Sequence, residues 1–200
     1  MELKEKILSS FMAFEEKIAD VNNDLHDIRI SAIKNFENKG FPTKKEEAWK
    51  YTSLNAILKN NFSVFAKKEN SVEFAEVKKY FLNEVDTYKV IFIDGKFSSH
   101  LSSTTHDGLD VCLMSSALNK PKYKMVIDTY FNKIANSDDS LTSLNTAFSH
   151  EGAYVNIPKS KVVEKPIEII YFSTGAETAL MTQPRNLIIV GENSHVQIVE

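Results

Sequence analysis

Cysteine is almost absent from this 200-residue chain, and the one present, Cys112, has no partner within it. That excludes an internal disulfide framework and an all-thiolate metal cage, and it suits a reducing compartment, so the expected address is cytoplasmic. Tryptophan also occurs once, at Trp49. Long apolar runs are missing too: VIFI (90–93) and LIIV (187–190) have the length of short strands, against roughly 20 residues for a membrane-spanning helix. The N-terminal stretch MELKEKILSSFMAFEEKIAD has no apolar region followed by a small-residue cleavage site, so no secretory signal is read there. Nor does charge of one sign accumulate. The net charge is −3 and lysines alternate with glutamates, which argues against a nucleic-acid footprint.

What remains is ordinary globular composition, 42% hydrophobic and 26% charged, enough to bury a core. Leu3, Ile7, Phe11, Phe14, Ile18, Val21, Leu25 and Ile28 recur at alternating steps of four and three, the period of an amphipathic helix. Asn22-Asn23-Asp24 is expected to interrupt it as a turn and cap, with Leu25, Ile28, Ala32 and Phe36 continuing the stripe as far as Gly40. Two antiparallel helices follow from this, packed on their own protein.

The stretch FPTKKEEAWKYT (41–52) carries the lone tryptophan among lysines and glutamates. Thr43 and Glu46 stand at capping-box spacing, with Pro42 fixing the approach, so a short helix is expected from there. Trp49 is then expected to fold back on Phe41 or the helix pair, and Trp49→Ala to cost roughly 3 to 5 kcal/mol if the ring is buried. Two further short helices are predicted, around Leu54, Ile57 and Leu58 and around Phe74, Val77, Phe81 and Val85.

YKVIFIDGKFSS then reads as a hairpin, because Asp94-Gly95 tolerates the positive φ that a two-residue turn requires. GLDVCLMSSAL is predicted as a third strand, Pro121 to Ala135 as helix, and SLTSLNTAF as a helix capped by Asp138 or Asp139. Beyond Gly152 the segments AYVNIP, PIEIIYFS, RNLIIVG and HVQIVE are short and β-rich, a pattern shared by sandwiches, barrels and solenoids. The last alternation stops inside a strand pattern, which predicts that the chain is a piece of something longer.

Catalytic fingerprints are missing: there is no GxxxxGK[ST] loop, no GxGxxG after a strand, no CxxC, no HxxxH and no GxSxG elbow. His150-Glu151 starts like HExxH, but Tyr154 stands where the second histidine belongs, so the pair is read as a turn before Gly152. His26, His100, His106 and His195 are read as solvated or capping residues, and His100, His106 and Asp107 as too loosely held to ligate a metal. Cys112, between Val111 and Leu113, is read as a small buried hydrophobe. No catalytic, cofactor-binding or metal-ligating residue is therefore assigned.

Three segments together resemble the SufB/SufD family, scaffold subunits of the SUF iron–sulfur cluster assembly system, in its SufD branch. They are FPTKKEEAWKYT, read as Pro42, Glu46, Trp49, Lys50, Tyr51 and Thr52, then VIFIDGKFSSHLS, then LNTAFSHEGAYVNIPKSKVVEKPIEIIY (144–171). The resemblance implies an α+β chain: a mostly helical, mixed N-terminal domain with a β-hairpin (1–140), then the first turns of a right-handed parallel β-helix core (141–200). It also implies partnership with SufB and the ATPase SufC. Any iron–sulfur cluster belongs to the whole complex, since no residue here matches the family's cluster-related positions.

The expected function is thus a non-catalytic scaffold in iron–sulfur cluster assembly, set against a β-solenoid enzyme or a generic cytoplasmic adaptor. An open β-helix edge would also favour self-association.

Overall fold

The computed structural model describes residues 2–18, 25–64, 72–103, 109–135, 138–175 and 179–200. The turn expected at Asn22-Asn23-Asp24, and His106 and Asp107, lie outside the described residues.

The first stripe forms helix α1 (Leu3–Ile18), which buries Ile7, Phe11, Phe14 and Ile18. Helix α2 (His26–Lys39) stops where predicted: Gly40 takes φ +70° and donates its N–H to the Phe36 carbonyl at 2.7 Å. A stretch of 3₁₀ turn (Glu47–Trp49) and two one-turn helices, α3 (Asn55–Leu58) and α4 (Phe74–Val77), follow, with a second 3₁₀ turn at Lys78–Tyr80. The chain then enters strands β1 (Tyr88–Ile93), β2 (Lys96–Phe97) and β3 (Asp110–Leu113), and helices α5 (Met114–Leu118), α6 (Pro121–Tyr130) and α7 (Ser140–Ala147). Strands β4 (Ala153–Ile157), β5 (Ile167–Phe172), β6 (Leu187–Val190) and β7 (Ile198–Val199) complete it.

Several local expectations hold for the stated reasons. Asp94 and Gly95 have φ of 49° and 81°, the geometry of the two-residue hairpin turn that joins antiparallel β1 and β2. Asp139, rather than Asp138, caps α7, its carboxylate accepting the Thr142 N–H at 2.6 Å. The third strand is shorter than predicted. It ends at Leu113, and Met114–Leu118 turns helical, burying Met114, Ala117 and Leu118.

Two sheets carry the β residues, in the orders β2-β1-β5-β7 and β3-β4-β6, and neither closes into a barrel. After Gly152 successive strands alternate between them. Tyr154 pairs with Leu187 and Ile157 with Val190 in parallel β4 and β6, each 33 positions apart. Parallel β5 and β7 pair Ile167 with Ile198, 31 positions apart, and an isolated parallel bridge joins Val162 to His195. β1 also joins β5 in parallel along its whole length.

The inner faces of the two sheets meet in a cluster of Tyr88, Val90, Phe92, Ala153, Val155, Ile157, Val163, Ile167 and Ile169. Burying one such aliphatic side chain contributes roughly 1.5 to 3 kcal/mol. Glu168, only 3% exposed, points the other way and is fully engaged: it accepts the Leu82 N–H at 2.9 Å and the Thr87 hydroxyl at 2.6 Å, with Lys89 Nζ 3.7 Å away. The chain before β1 is thereby tied to β5.

The helices divide around α2. Ile33 and Phe36 join Phe11, Phe14, Leu144 and Phe148, where the Phe11 and Phe148 rings meet edge-on at 5.7 Å. Leu25, just before α2, belongs instead to a group with Met114, Ala117, Tyr123, Ile127 and Tyr154 on the outer face of β4. α2 is bonded to α7 as well, Asn35 Nδ2 donating to Ser143 Oγ at 2.7 Å, so it is not simply one arm of a hairpin with α1.

The tryptophan corner differs from expectation. Glu46 accepts the Thr43 N–H at 2.9 Å as the capping box requires, but the Thr43 hydroxyl accepts from Lys45 and only a 3₁₀ turn follows. Trp49 is half-buried and belongs to none of the four buried clusters found among the described residues. The loss expected for a buried ring therefore does not apply. A capping signal fixes how a turn starts, but not whether a core lies within reach of the side chain three residues on.

Candidate functional site

The segment after α7 is pinned at nearly every residue. Phe148 is locked in the α1–α2–α7 cluster, the Ser149 carbonyl accepts from Arg29 Nε at 3.0 Å, the Glu151 carbonyl accepts from the Arg185 N–H at 2.9 Å, and the Gly152 carbonyl accepts from the Met114 N–H at 2.8 Å. His150 and Glu151 are consequently held in fixed positions in the wall of a cavity of about 260 Å³.

Five parts of the chain enclose it: α1 supplies Phe14, Lys17 and Ile18; Val64 comes from the segment before α4; the hairpin supplies Asp94, Gly95 and Lys96; Phe148 to Glu151 follow α7; and residues 180–183 form the far wall. The far wall is fastened by a short bridge, the Ser63 N–H donating to the Ala179 carbonyl and the Met181 N–H to the Ser63 carbonyl, both at 2.8 Å. Gly95 is needed at the turn: besides its positive φ, a Cβ there would stand 3.0 Å from the Thr182 methyl.

The polar groups of this wall are poorly satisfied for their depth. Neither His150 Nδ1 nor Glu151 Oε2, both buried, has a hydrogen-bond partner. His150 Nε2 lies 3.7 Å from Glu151 Oε1, an ion-pair separation too long for a hydrogen bond. Burial, followed by the nearby charges of Arg29 and Lys17, lowers the His150 pKa to about 4, so its imidazole is neutral at physiological pH. Burial raises the Glu151 pKa, opposed by a hydrogen bond from Ser115 and by Lys96. Behind them Arg29, 1% exposed, is itself lowered by desolvation, with Glu15 opposing that shift at 3.5 Å. Glu15 also contacts His26 Nδ1.

Chemically, the cavity sets a neutral imidazole edge and a Glu151 carboxyl oxygen among apolar side chains, with Lys17, Asp94 and Lys96 also in its lining. Among the described residues no serine or cysteine lines it, and no group of three or more His, Cys, Asp or Glu residues stands ready to hold a metal ion. It presents charged groups of both signs beside an uncharged imidazole. His150-Glu151 was read from sequence as a turn, and its depth has no local signal, because Phe14, Ser115 and Met181 come from three distant segments.

The other residues weighed from sequence are scattered. His26 is paired with Glu15, His100 bonds the Ser98 hydroxyl at 3.0 Å and the Val72 carbonyl at 3.3 Å, and His195 is exposed. Cys112 is half-buried, and burial raises its pKa, as befits an unreactive thiol.

Helices α1, α2 and α7 stacked beside two small mixed sheets define a protein of α+β class with a half-enclosed cavity at their junction. Residues 1–169 match the family model described as the SufBD protein N-terminal region, and the chain belongs to the SufBD family. It is 26% identical over 159 residues to an iron–sulfur cluster assembly SufBD family protein of Synechocystis, covering 80% of this chain and 35% of that one. It is 23% identical over 181 residues to the iron–sulfur cluster assembly protein SufD of Bacillus subtilis, covering 88% and 40%. It is 24% identical over 187 residues to the chloroplastic protein ABCI7 of Arabidopsis thaliana, covering 88% and 37%. The chain thus spans little more than a third of the length of these relatives. No helix among the described residues is long and apolar enough to cross a membrane.

Proposed function

We propose that this chain is the N-terminal part of a non-catalytic scaffold subunit for iron–sulfur cluster assembly, working in the cytoplasm with SufB and SufC homologues. The observation that carries the reading is the family match over residues 1–169, supported by the two relatives whose names record cluster assembly. Within it, the strands after Gly152 are the first coils of a right-handed parallel β-helix. Two features support that: β4/β6 and β5/β7 repeat in parallel at offsets of 33 and 31 residues, and crossovers between parallel strands are right-handed in nearly all proteins. On this reading Ile188 and Val190, which share a face with buried Val155 and Ile157 yet are 37% and 49% exposed, lie where a further coil stacks.

Co-expression with the SufB and SufC homologues of the same organism tests the scaffold role. Co-purification of all three in fixed ratio, with loss of iron–sulfur enzyme activities on deleting the gene, is expected. A protein that binds neither homologue, and whose deletion leaves those activities intact, would end the proposal.

A further inference from the structure

The half-enclosed cavity beside His150 is ringed by groups that favour an aromatic guest. Centroid to centroid, the Phe14 ring stands 5.1 Å from Phe148 at 52° and 6.5 Å from the His150 imidazole at 79°, and all three line the space. Met181, packed against the same helical cluster, adds a polarizable thioether to the far wall. Ring quadrupoles and thioether sulfur attract a further ring more strongly than an alkyl chain. The volume of about 260 Å³ exceeds the roughly 150 Å³ of an engineered cavity that takes up benzene, so one substituted ring fits.

The polar groups specify what that ring carries. His150 Nε2 and Glu151 Oε1 stand 3.7 Å apart, too far to bond each other, but an oxygen about 2.8 Å from each closes the gap. The imidazole is neutral, its pKa lowered to about 4, and its Nδ1 is buried with no hydrogen-bond partner. The tautomer is therefore assigned with the proton on Nε2, since buried N–H groups left without an acceptor are rarer than unfilled lone pairs. Nε2–H then donates and the Glu151 carboxyl oxygen accepts. A hydroxyl, which accepts from the first and donates to the second, satisfies both, whereas an ether satisfies only one and a hydrocarbon neither.

Formal charge argues against an ion as the guest. Among the described residues the lining carries two bases, Lys17 and Lys96, and two acids, Asp94 and Glu151. Asp94 is already engaged, accepting the Thr174 N–H at 2.9 Å and its hydroxyl at 2.6 Å, and Arg29, behind the wall, faces Glu15 at 3.5 Å. Neither sign is in excess. A carboxylate or an ammonium entering this space gives up its hydration with no net field to replace it.

We propose that the cavity binds a small uncharged hydroxyaromatic molecule, its ring among Phe14, Phe148 and Met181 and its hydroxyl bridging His150 Nε2 and Glu151 Oε1. All of these contacts lie within this chain, so binding does not require SufB or SufC homologues, and its loss would leave the assembly role untouched.

NMR titration of the ¹⁵N-labelled 200-residue chain at pH 7, with far-UV circular dichroism of each variant to confirm folding, tests this with three probes. p-Cresol should bind saturably with sub-millimolar affinity and shift the amides of residues 94–96 and 148–152 most. Toluene, the same ring without the hydroxyl, should bind about tenfold more weakly, the effect of losing one hydrogen-bonded group. p-Toluate, which is anionic, should not bind. His150→Phe, which keeps a ring and removes Nε2, should bring p-cresol down to the affinity of toluene, and Met181→Trp, which fills the space, should abolish binding of both. Any of five results would overturn the proposal: no saturable binding of p-cresol, equal affinity for toluene, p-toluate binding as tightly, a His150→Phe chain that still prefers p-cresol, or binding that survives in a folded Met181→Trp chain.

Discussion

His150 is the residue whose environment most changes its chemistry. Its pKa is about 4 in the folded chain against an ordinary 6.5, so the unfolded chain binds the proton first as pH falls. Stability from this group is therefore complete above pH 6.5 and is lost between 6.5 and 4. The shift corresponds to roughly 3 kcal/mol. Glu151, raised, acts in the opposite sense as pH climbs through its folded pKa. His150→Asn should flatten the acid limb, and urea melts of wild type and variant at pH 7 and pH 4.5 should show wild type losing about 2 kcal/mol more than the variant. Equal losses in both proteins would mean that the imidazole is solvated. His150-Glu151 was read from sequence as a turn; the pair is instead an irregular link into β4, and the sequence was silent on its chemistry, because a histidine's pKa follows from the depth at which distant segments enclose it.

Among the elements, the link from α7 to β4 matters most for the cavity. Gly152 has φ +151°, and a Cβ built on it would lie 2.1 Å from the Arg185 carbonyl oxygen, a backbone atom that cannot step aside. Gly152→Ala should destabilise the chain by roughly 2 to 4 kcal/mol through displaced backbone, measurable as a drop in the urea midpoint. A neutral effect would show that residues 185 and 152 are not in contact. Helices α1, α2 and α7 were legible, since apolar residues at steps of three and four fix which face is buried, and so was the hairpin, because Asp94-Gly95 suits positive φ; α5 was read as strand, and α6 stops at Tyr130 instead of Ala135. The partners of α2 were not legible: one stripe runs along it, yet Leu25 and Phe36 end in separate clusters. The tryptophan corner was misread for the same reason, its capping box forming in part while no core lay beside the ring.

At the scale of the whole molecule, order should follow enclosure. β1 has a hydrogen-bonded neighbour on each side, β2 and β5, and apolar clusters on both faces, Val90 and Phe92 on one and Ile91 and Ile93 on the other. In native-state hydrogen exchange of the chain at low concentration, the amides of Val90 to Phe92 should be among the slowest, while residues 43–60 and the single-sided β7 exchange many-fold faster. Slow exchange at 43–60 in a verified monomer would contradict the exposure of that segment, where Tyr51 is 89% exposed and Trp49 half-buried.

The sequence by itself determined much of the local grammar of this protein: which faces of the main helices are apolar, that α2 stops at Gly40, where the chain reverses at Asp94-Gly95, and that short strands follow Gly152. Those features depend on φ/ψ preference and side-chain period, which neighbouring residues fix. Tertiary structure alone decided that alternate strands after Gly152 fall into two sheets at near-constant offset, that His150 and Glu151 wall a cavity, and that the half-buried Trp49 joins none of the buried clusters among the described residues. Each of these depends on which remote segments arrive to cover a side chain or pair a strand, and a periodic pattern marks the face to be covered without naming its cover.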